Sequence, residues 1–143
     1  MKSLRKEEIL NYFEEINQHL AEQGKYGEIM VVGGAALTIV FNARYSTQDV
    51  DAIFHPKEDL RKIIGNMAKK YALEQDWLND TVKPFVTKKI EFETFLEYSN
   101  LTVSNANAES LLAMKLTSAR FGTSDMDDSI FLVNRPTVKT GGL

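Results

Sequence analysis

Residues 29–54, IMVVGGAALTIVFNARYSTQDVDAIF, decide the fold of this chain. The apolar run Ile29–Val32 stops at Gly33-Gly34, which is typical of a buried strand that ends in a tight turn. The segments that follow are a short helix over 35–41, a polar loop over 42–48 and a second strand over 49–54. The stretch therefore predicts a strand–helix–strand unit with its polar residues gathered before the second strand.

Gly33 and Gly34 end the first strand without side chains. A phosphate group can approach such a backbone closely, and the N–H groups of a helix start would point at it. A simple tight turn between strand and helix would use the same two residues. Both interpretations stay open on the sequence, and the first makes the pair a candidate phosphate site.

Asp49 and Asp51 begin the second strand. Residues two apart in a strand point to the same face, so the two carboxylates would lie side by side. Mg²⁺ is commonly bound by one or two carboxylates when substrate phosphates supply other ligands. Acids at the start of a core strand are costly to hold without a cation or a partner. The alternative is a pair that simply faces solvent.

The rest of the chain predicts further helices and strands around this unit. Apolar spacing predicts a helix over 4–21, with Ser3 as N-cap and Gly24 as its stop. The remaining predictions are a helix after Pro56, a packed anchor at Trp77-Leu78, one or two strands over 91–103 with a turn at Ser99-Asn100, and helices over 108–120 and about 125–133. This order predicts an α+β fold, a mixed β-sheet flanked by helices.

Composition restricts the class of protein. The 143 residues fit a single domain over 1–143, with about 134–143 as a frayed tail. The absence of cysteine excludes disulfides and thiolate metal sites and suits a reducing cytoplasm. No export signal or membrane span is predicted. The net charge of −3 does not favour a nucleic-acid binder by composition alone.

Two stretches resemble a known superfamily. VVGGAALTIVFNARYSTQDVDAIF (31–54) resembles the signature of the DNA-polymerase-beta-like nucleotidyltransferases, a small-residue pair opening a helix and then Asp-x-Asp on the next strand. The residues of this stretch most resemble the AbiEii-type toxin branch, in which an Arg and a Ser-Thr pair precede Asp-x-Asp. LLAMKLTSARFGTSDMDDSIFL (111–132) resembles the downstream helix pair of that branch. On this match the motif positions fall on Lys115, Arg120, Asp125 and Asp128.

The resemblance implies transfer of a nucleoside monophosphate from a nucleoside triphosphate by two Mg²⁺ ions. Asp49 and Asp51 would bind the metal, and Lys115 would meet the triphosphate as a third catalytic residue. The implied nucleotide contacts are Gly33, Gly34, Arg44, Ser46, Thr47 and Lys115. The acceptor would be RNA, in the branch a tRNA 3′ end, and a cognate antitoxin protein would be a partner.

The superfamily usually has a third carboxylate on a later strand. Glu91, Glu93 and Glu97 lie in such a segment, and strand alternation predicts that all three share one face. The other candidates are Asp125 and Asp128, although acids at a helix start are favourable for capping alone.

Three classes of function remain open on the sequence. They are an active nucleotidyltransferase, a degenerate binding module without the third acid, and a Rossmann-like cofactor binder. The last lacks the G-x-G-x-x-G spacing. Lys115 also has a structural alternative, because a lysine in an apolar helix can extend its charged end to the rim.

Overall fold

The computed structural model describes residues 3–42, 45–82 and 90–119, with side chains as far as 114 in the last range. The helices are α1 (Lys6–Glu22), α2 (Gly33–Ile39), α3 (Lys57–Tyr71) and α4 (Ala108–Ala119). The strands are β1 (Leu4–Arg5), β2 (Gly27–Val32), β3 (Ser46–Thr47), β4 (Val50–His55), β5 (Leu78–Asn79), β6 (Phe92–Glu97) and β7 (Leu101–Ala106).

Five strands form one mixed sheet in the order β5-β4-β2-β7-β6. β4 runs antiparallel to β2, and β7 runs parallel to β2 on its other side. β5 is parallel to β4, and β6 is antiparallel to β7. The predicted α+β fold with a mixed sheet flanked by helices is confirmed.

The core lies between this sheet and the helices, where α1 and α3 contact each other as well as β7 and β4. α1 buries one stripe, Ile9, Phe13, Ile16 and Leu20, at the spacing of a single helix face. The buried Trp77 donates its Nε1–H to the carbonyl oxygen of Ile64 at 3.2 Å. Trp77 is therefore the packed anchor that the sequence predicts.

The ends of several elements differ from the prediction. α1 begins at Lys6 and not after Ser3, because Leu4 and Arg5 pair with Thr47 and Ser46 as a two-stranded ladder, β1 with β3. Gly24 follows α1 with a left-handed φ of +66°, as a stop requires. α2 already begins at Gly33, and Asp49 lies immediately before β4.

The predicted hairpin is confirmed as β6 and β7 with the turn at Ser99-Asn100. The prediction that the glutamates of this segment share one face is wrong. Glu91 precedes β6, and a register shift between Thr94 and Leu96 breaks the alternation. Glu93 pairs with Asn105 and Glu97 with Thr102, three residues apart on β7, so the two side chains belong to opposite faces.

Asn107 caps α4, because the Ser110 backbone N–H donates to Asn107 Oδ1 at 2.8 Å. The predicted last helix and the tail lie outside the described residues. Within the described part of the chain, no helix combines the length and apolar composition needed to cross a membrane.

Candidate functional site

The end of β2 and the start of β4 meet at Gly33 and Asp51. The antiparallel register places Val32 directly opposite Asp51, so the chain leaves β2 beside that carboxylate. Gly33 has a φ of +70°, which side-chain-bearing residues rarely adopt. A Cβ at this position would lie 3.5 Å from Asp51 Oδ2. The glycine is therefore required by its backbone conformation, and it leaves the space beside the carboxylate free of its own side chain.

Asp49 and Asp51 flank Val50, which is fully buried. Asp49 is exposed and Asp51 is half-buried, so the two acids lie on the accessible side of a chain whose middle residue points into the core. The Val50 backbone N–H donates to the carbonyl oxygen of Trp77 at 2.7 Å. This bond to the neighbouring strand fixes the backbone between the two carboxylates.

Partial burial and a second acid both act on the charge of Asp49. Although Asp49 is exposed as a residue, partial desolvation of its carboxyl group, and then the negative charge of Asp76, raise the pKa of Asp49 above its usual value. Within the described part of the chain, no cationic side chain forms an ion pair with Asp49. A cation bound here would relieve the repulsion and favour the ionised carboxylate.

Thr47 braces the segment that leads to these acids. Its buried side chain donates a hydrogen bond from Oγ1 to the carbonyl oxygen of Asp49 at 3.0 Å. Thr47 and Ser46 are in turn paired with Leu4 and Arg5 in the β1–β3 ladder. The start of the chain therefore holds the loop before Asp49 in place. Arg44 lies outside the described residues.

β5 is the strand that sequence reasoning did not place at the site. Its register puts Asn79 opposite Asp51, and Asp76 lies just before it, close enough to Asp49 to affect its titration. The Asn79 side chain is held in a local turn, since Nδ2 donates to the Asp76 carbonyl oxygen at 3.0 Å and Oδ1 accepts from Thr81 Oγ1 at 2.7 Å. The only sequence signal was the short run Trp77-Leu78-Asn79-Asp80.

The next acid on this segment, Asp80, is structurally paired. Its carboxylate lies 3.6 Å from Lys57 Nζ and 3.6 Å from Arg61 Nη2, both on the first two turns of α3. Asp80 therefore ties β5 to α3 and is already matched by positive charge.

The other candidate acids are separated from β4. Glu93 and Glu97 lie on β6, three strands away and hence about 14 Å across the sheet. Asp125, Asp128 and Arg120 lie outside the described residues. Lys115 belongs to α4, and its side chain is likewise outside the description. α4 itself contacts α2, the helix that begins at Gly33.

The donor set can be compared with the needs of Mg²⁺. Among the described residues, no group of three or more His, Cys, Asp or Glu side chains is arranged to hold a metal ion. Asp49 and Asp51 form a pair, and Mg²⁺ usually completes such a pair with waters and substrate phosphates. The residues present thus fit a metal that arrives with a nucleotide, and they do not form a complete cage.

The geometry so far defines an α+β protein with a glycine turn against an acidic strand start. A family model described as "Nucleotidyltransferase of unknown function (DUF6036)" matches residues 7–130, and the chain belongs to this family. The match includes both glycines, Asp49 and Asp51, and it extends past Lys115, Asp125 and Asp128. Searches of the curated proteins and of the solved structures each gave no match.

Proposed function

We propose that this chain transfers a nucleoside monophosphate from a nucleoside triphosphate to an acceptor, using Asp49 and Asp51 to hold Mg²⁺. The observation that carries the proposal is the position of Gly33 beside Asp51, since Val32 pairs with Asp51 and a Cβ at Gly33 would lie 3.5 Å from Asp51 Oδ2. A left-handed glycine at the end of one strand leaves room for a phosphate beside a carboxylate at the start of the next. Membership of a nucleotidyltransferase family supports the same activity.

The two aspartates and the two glycines have different parts in this reaction. Bound Mg²⁺ would supply charge neutralisation at the triphosphate and at the acceptor oxygen, in the manner of two-metal enzymes. Asp49 and Asp51 hold the metal and orient it against the phosphates, while Gly33 and Gly34 admit those phosphates to the backbone. Positioning and electrostatic stabilisation would then provide most of the rate.

The loop and α4 contribute the remaining nucleotide contacts in this proposal. Arg44, Ser46 and Lys115 are the proposed contacts to the triphosphate. Thr47 has a different part, because its hydroxyl proton is already donated to the Asp49 carbonyl oxygen. We therefore assign Thr47 to positioning Asp49.

The finer features of the proposal rest on the resemblance to the AbiEii-type branch of the DNA-polymerase-beta-like superfamily. That resemblance supports an RNA acceptor, a tRNA 3′ end in the first instance, and a cognate antitoxin as partner. Incubation of the protein with RNA and each α-labelled nucleoside triphosphate would measure transfer directly. Label on RNA that depends on Asp49 and Asp51 would support this acceptor, and label on no RNA would contradict it.

The nucleotide site is tested by calorimetry with each of the four nucleoside triphosphates, with and without Mg²⁺. The site variant is Asp49→Asn with Asp51→Asn. The matched control is Glu93→Gln with Glu97→Gln, which also removes two negative charges, but from β6. Metal-dependent binding that is lost only in the site variant is expected, whereas unchanged affinity in that variant would contradict the metal assignment.

A degenerate nucleotide-binding module is the second candidate function. The observation in its favour is that β5 places an asparagine, Asn79, opposite Asp51 and engages its side chain in a local turn. Such a module would bind a nucleoside triphosphate with Mg²⁺ but release no pyrophosphate. Measuring pyrophosphate release in the presence of acceptor RNA separates the two functions.

A further inference from the structure

Two large aromatic side chains of the described residues are strongly exposed, Tyr26 at 73% and Tyr45 at 78%. Tyr26 precedes β2, at the end of that strand opposite Gly33, about 20 Å away along a six-residue strand. Tyr45 lies immediately before β3 in the loop that leads to Asp49. The two residues thus present similar rings at the two ends of the sheet, and only one is near the acidic pair.

The ring of Tyr45 is held in place although it is exposed. Arg5 Nη1 donates a hydrogen bond to the Tyr45 hydroxyl at 2.9 Å, and the guanidinium carbon lies 5.8 Å from the ring centroid. Arg5 is itself fixed by its pairing with Ser46. For Tyr26, no comparable hydrogen bond or ring contact exists within the described part of the chain. An exposed ring that is already ordered loses little entropy when a ligand stacks on it.

The position of Tyr45 suits the far end of a nucleotide. Tyr45 comes four positions before Asp49, so the two Cα atoms are at most about 14 Å apart. Thr47, between them, binds the Asp49 carbonyl oxygen and keeps this spacing fixed. A triphosphate held at Asp49 and Asp51 therefore has its base within reach of the ring.

We propose that the Tyr45 ring is the platform on which the base of the nucleoside triphosphate stacks, with Arg5 holding the ring in position. The inference rests on the proposed function and adds a base-binding residue to it. Stacking on an aromatic side chain is tolerant of base identity, since every base has a π-face. The guanidinium of Arg5 adds a positive charge beside the same surface.

The test compares a ligand that has a base with one that has none. Calorimetry with Mg²⁺ is performed with ATP and with inorganic tripolyphosphate, on the wild type, Tyr45→Ala, Tyr45→Leu, Tyr45→Phe and Tyr26→Ala. Loss of the ring in Tyr45→Ala and Tyr45→Leu should weaken ATP binding by about 5-fold to 100-fold, the range expected for one base–aromatic stack. Tripolyphosphate affinity should stay within about 2-fold in the same variants.

The two remaining variants separate stacking from loop support. Tyr45→Phe keeps the ring but loses the hydroxyl that accepts from Arg5, so ATP affinity should fall between that of the wild type and that of Tyr45→Leu. Tyr26→Ala removes a similarly exposed ring from the other end of β2 and should leave the affinity for both ligands unchanged. Circular dichroism checks that each variant folds. If Tyr45→Ala does not fold, Tyr45→Leu, which keeps a large apolar side chain, serves as the variant without a ring.

Several outcomes would overturn the proposal. An equal loss of affinity for ATP and for tripolyphosphate in Tyr45→Leu would mean that Tyr45 only supports the loop. Unchanged ATP affinity in both Tyr45→Ala and Tyr45→Leu would rule out stacking of the nucleotide base on this ring. Failure of the wild type to bind either ligand would instead contradict the proposed function and with it this inference.

Discussion

Two carboxylates of this molecule, Glu15 on α1 and Asp49 before β4, lie in opposite electrostatic surroundings. Burial alone would raise the pKa of Glu15, but hydrogen bonds from Tyr71, His19 and Lys70 outweigh it and hold that pKa below its usual range. His19 Nε2 and Lys70 Nζ each lie 3.2 Å from Glu15 Oε2, and the Tyr71 hydroxyl binds Oε1. Among the described residues no such set of donors reaches Asp49, and partial burial together with the charge of Asp76 raises its pKa.

The contrast between the two carboxylates indicates that the two regions have different roles. The Glu15 cluster joins α1 to α3 with its charges matched, as expected of a group that contributes to stability. Just before β4, the described part of the chain supplies no ion pair for Asp49 although its backbone is fixed, and a folded protein retains such a charge at a cost in stability. Functional sites commonly have this property. The following changes test the contrast.

The largest expected effect is on ligand binding at the β4 site. Asp49→Asn with Asp51→Asn should reduce Mg²⁺-dependent nucleotide affinity by at least about 100-fold, because both proposed metal ligands become neutral. The midpoint of thermal unfolding should change by only a few degrees, on the order of a 1 kcal/mol effect. Calorimetry and thermal unfolding on the same samples check both parts. A collapse of stability with lost binding would remove the distinction between the two regions.

Lys115→Ala tests the proposed phosphate contact on α4. The variant should weaken triphosphate binding more than monophosphate binding, since the ammonium group would face the outer phosphates. Calorimetry with a matched triphosphate and monophosphate measures the difference. An equal loss for both ligands would indicate a structural lysine.

Gly33→Ala combines backbone strain with a new methyl group in van der Waals contact with Asp51. A left-handed φ costs an alanine about 1–2 kcal/mol of stability, and the new methyl group would also lie 3.5 Å from Asp51 Oδ2. Gly24→Ala is the matched control, because Gly24 has a φ of +66° and open space around its Cβ position. Denaturant unfolding should show a similar decrease in the free energy of unfolding for the two variants. Weaker nucleotide binding should appear only for Gly33→Ala, and a loss in both would point to strain alone.

Glu15→Gln tests the matched region. The variant should lower the free energy of unfolding at pH 7 by about 1–3 kcal/mol, because three donors lose their charged acceptor. The lowered pKa means that Glu15 contributes stability above its unfolded pKa and that this contribution is lost as the pH falls below about 4. Urea unfolding at pH 7 and pH 3 should therefore show a difference between wild type and variant that shrinks at the acid pH. A difference independent of pH would contradict the ionic role.

The smallest effect is expected for Asp49→Asn alone in the absence of metal. Because folding raises the pKa of Asp49, its ionised form opposes folding at pH 7, and the amide should increase stability by less than about 1 kcal/mol, since the residue is exposed. The gain should vanish below about pH 4, where the wild-type carboxyl is protonated in both states. Mg²⁺ with nucleotide should stabilise the wild type and not the variant. A destabilised variant at pH 7 would show that Asp49 has a structural partner.

The sequence predicted the elements whose pattern is local. Helical spacing identified α1 and α3, and the apolar run before Gly33 identified β2. The sequence pattern could not place Asp49 and Asp51 beside Asp76 and Asn79. A strand of two residues has no local feature that indicates which strand it will pair with. The register shift at Thr94–Leu96 was equally invisible, since alternation alone assumes an unbroken strand.

The sequence alone was enough for the longer helices and strands, for the glycine that follows β2 and for the acidic pair at the start of the next strand. These follow from periodicity and from the backbone freedom of glycine, which are properties of neighbouring residues. Only the tertiary structure decided that β5 lies against β4, that Glu93 and Glu97 lie three strands away, and that Arg5 fixes the ring of Tyr45. Those contacts join residues up to tens of positions apart, and they are selected by the packing of the whole core.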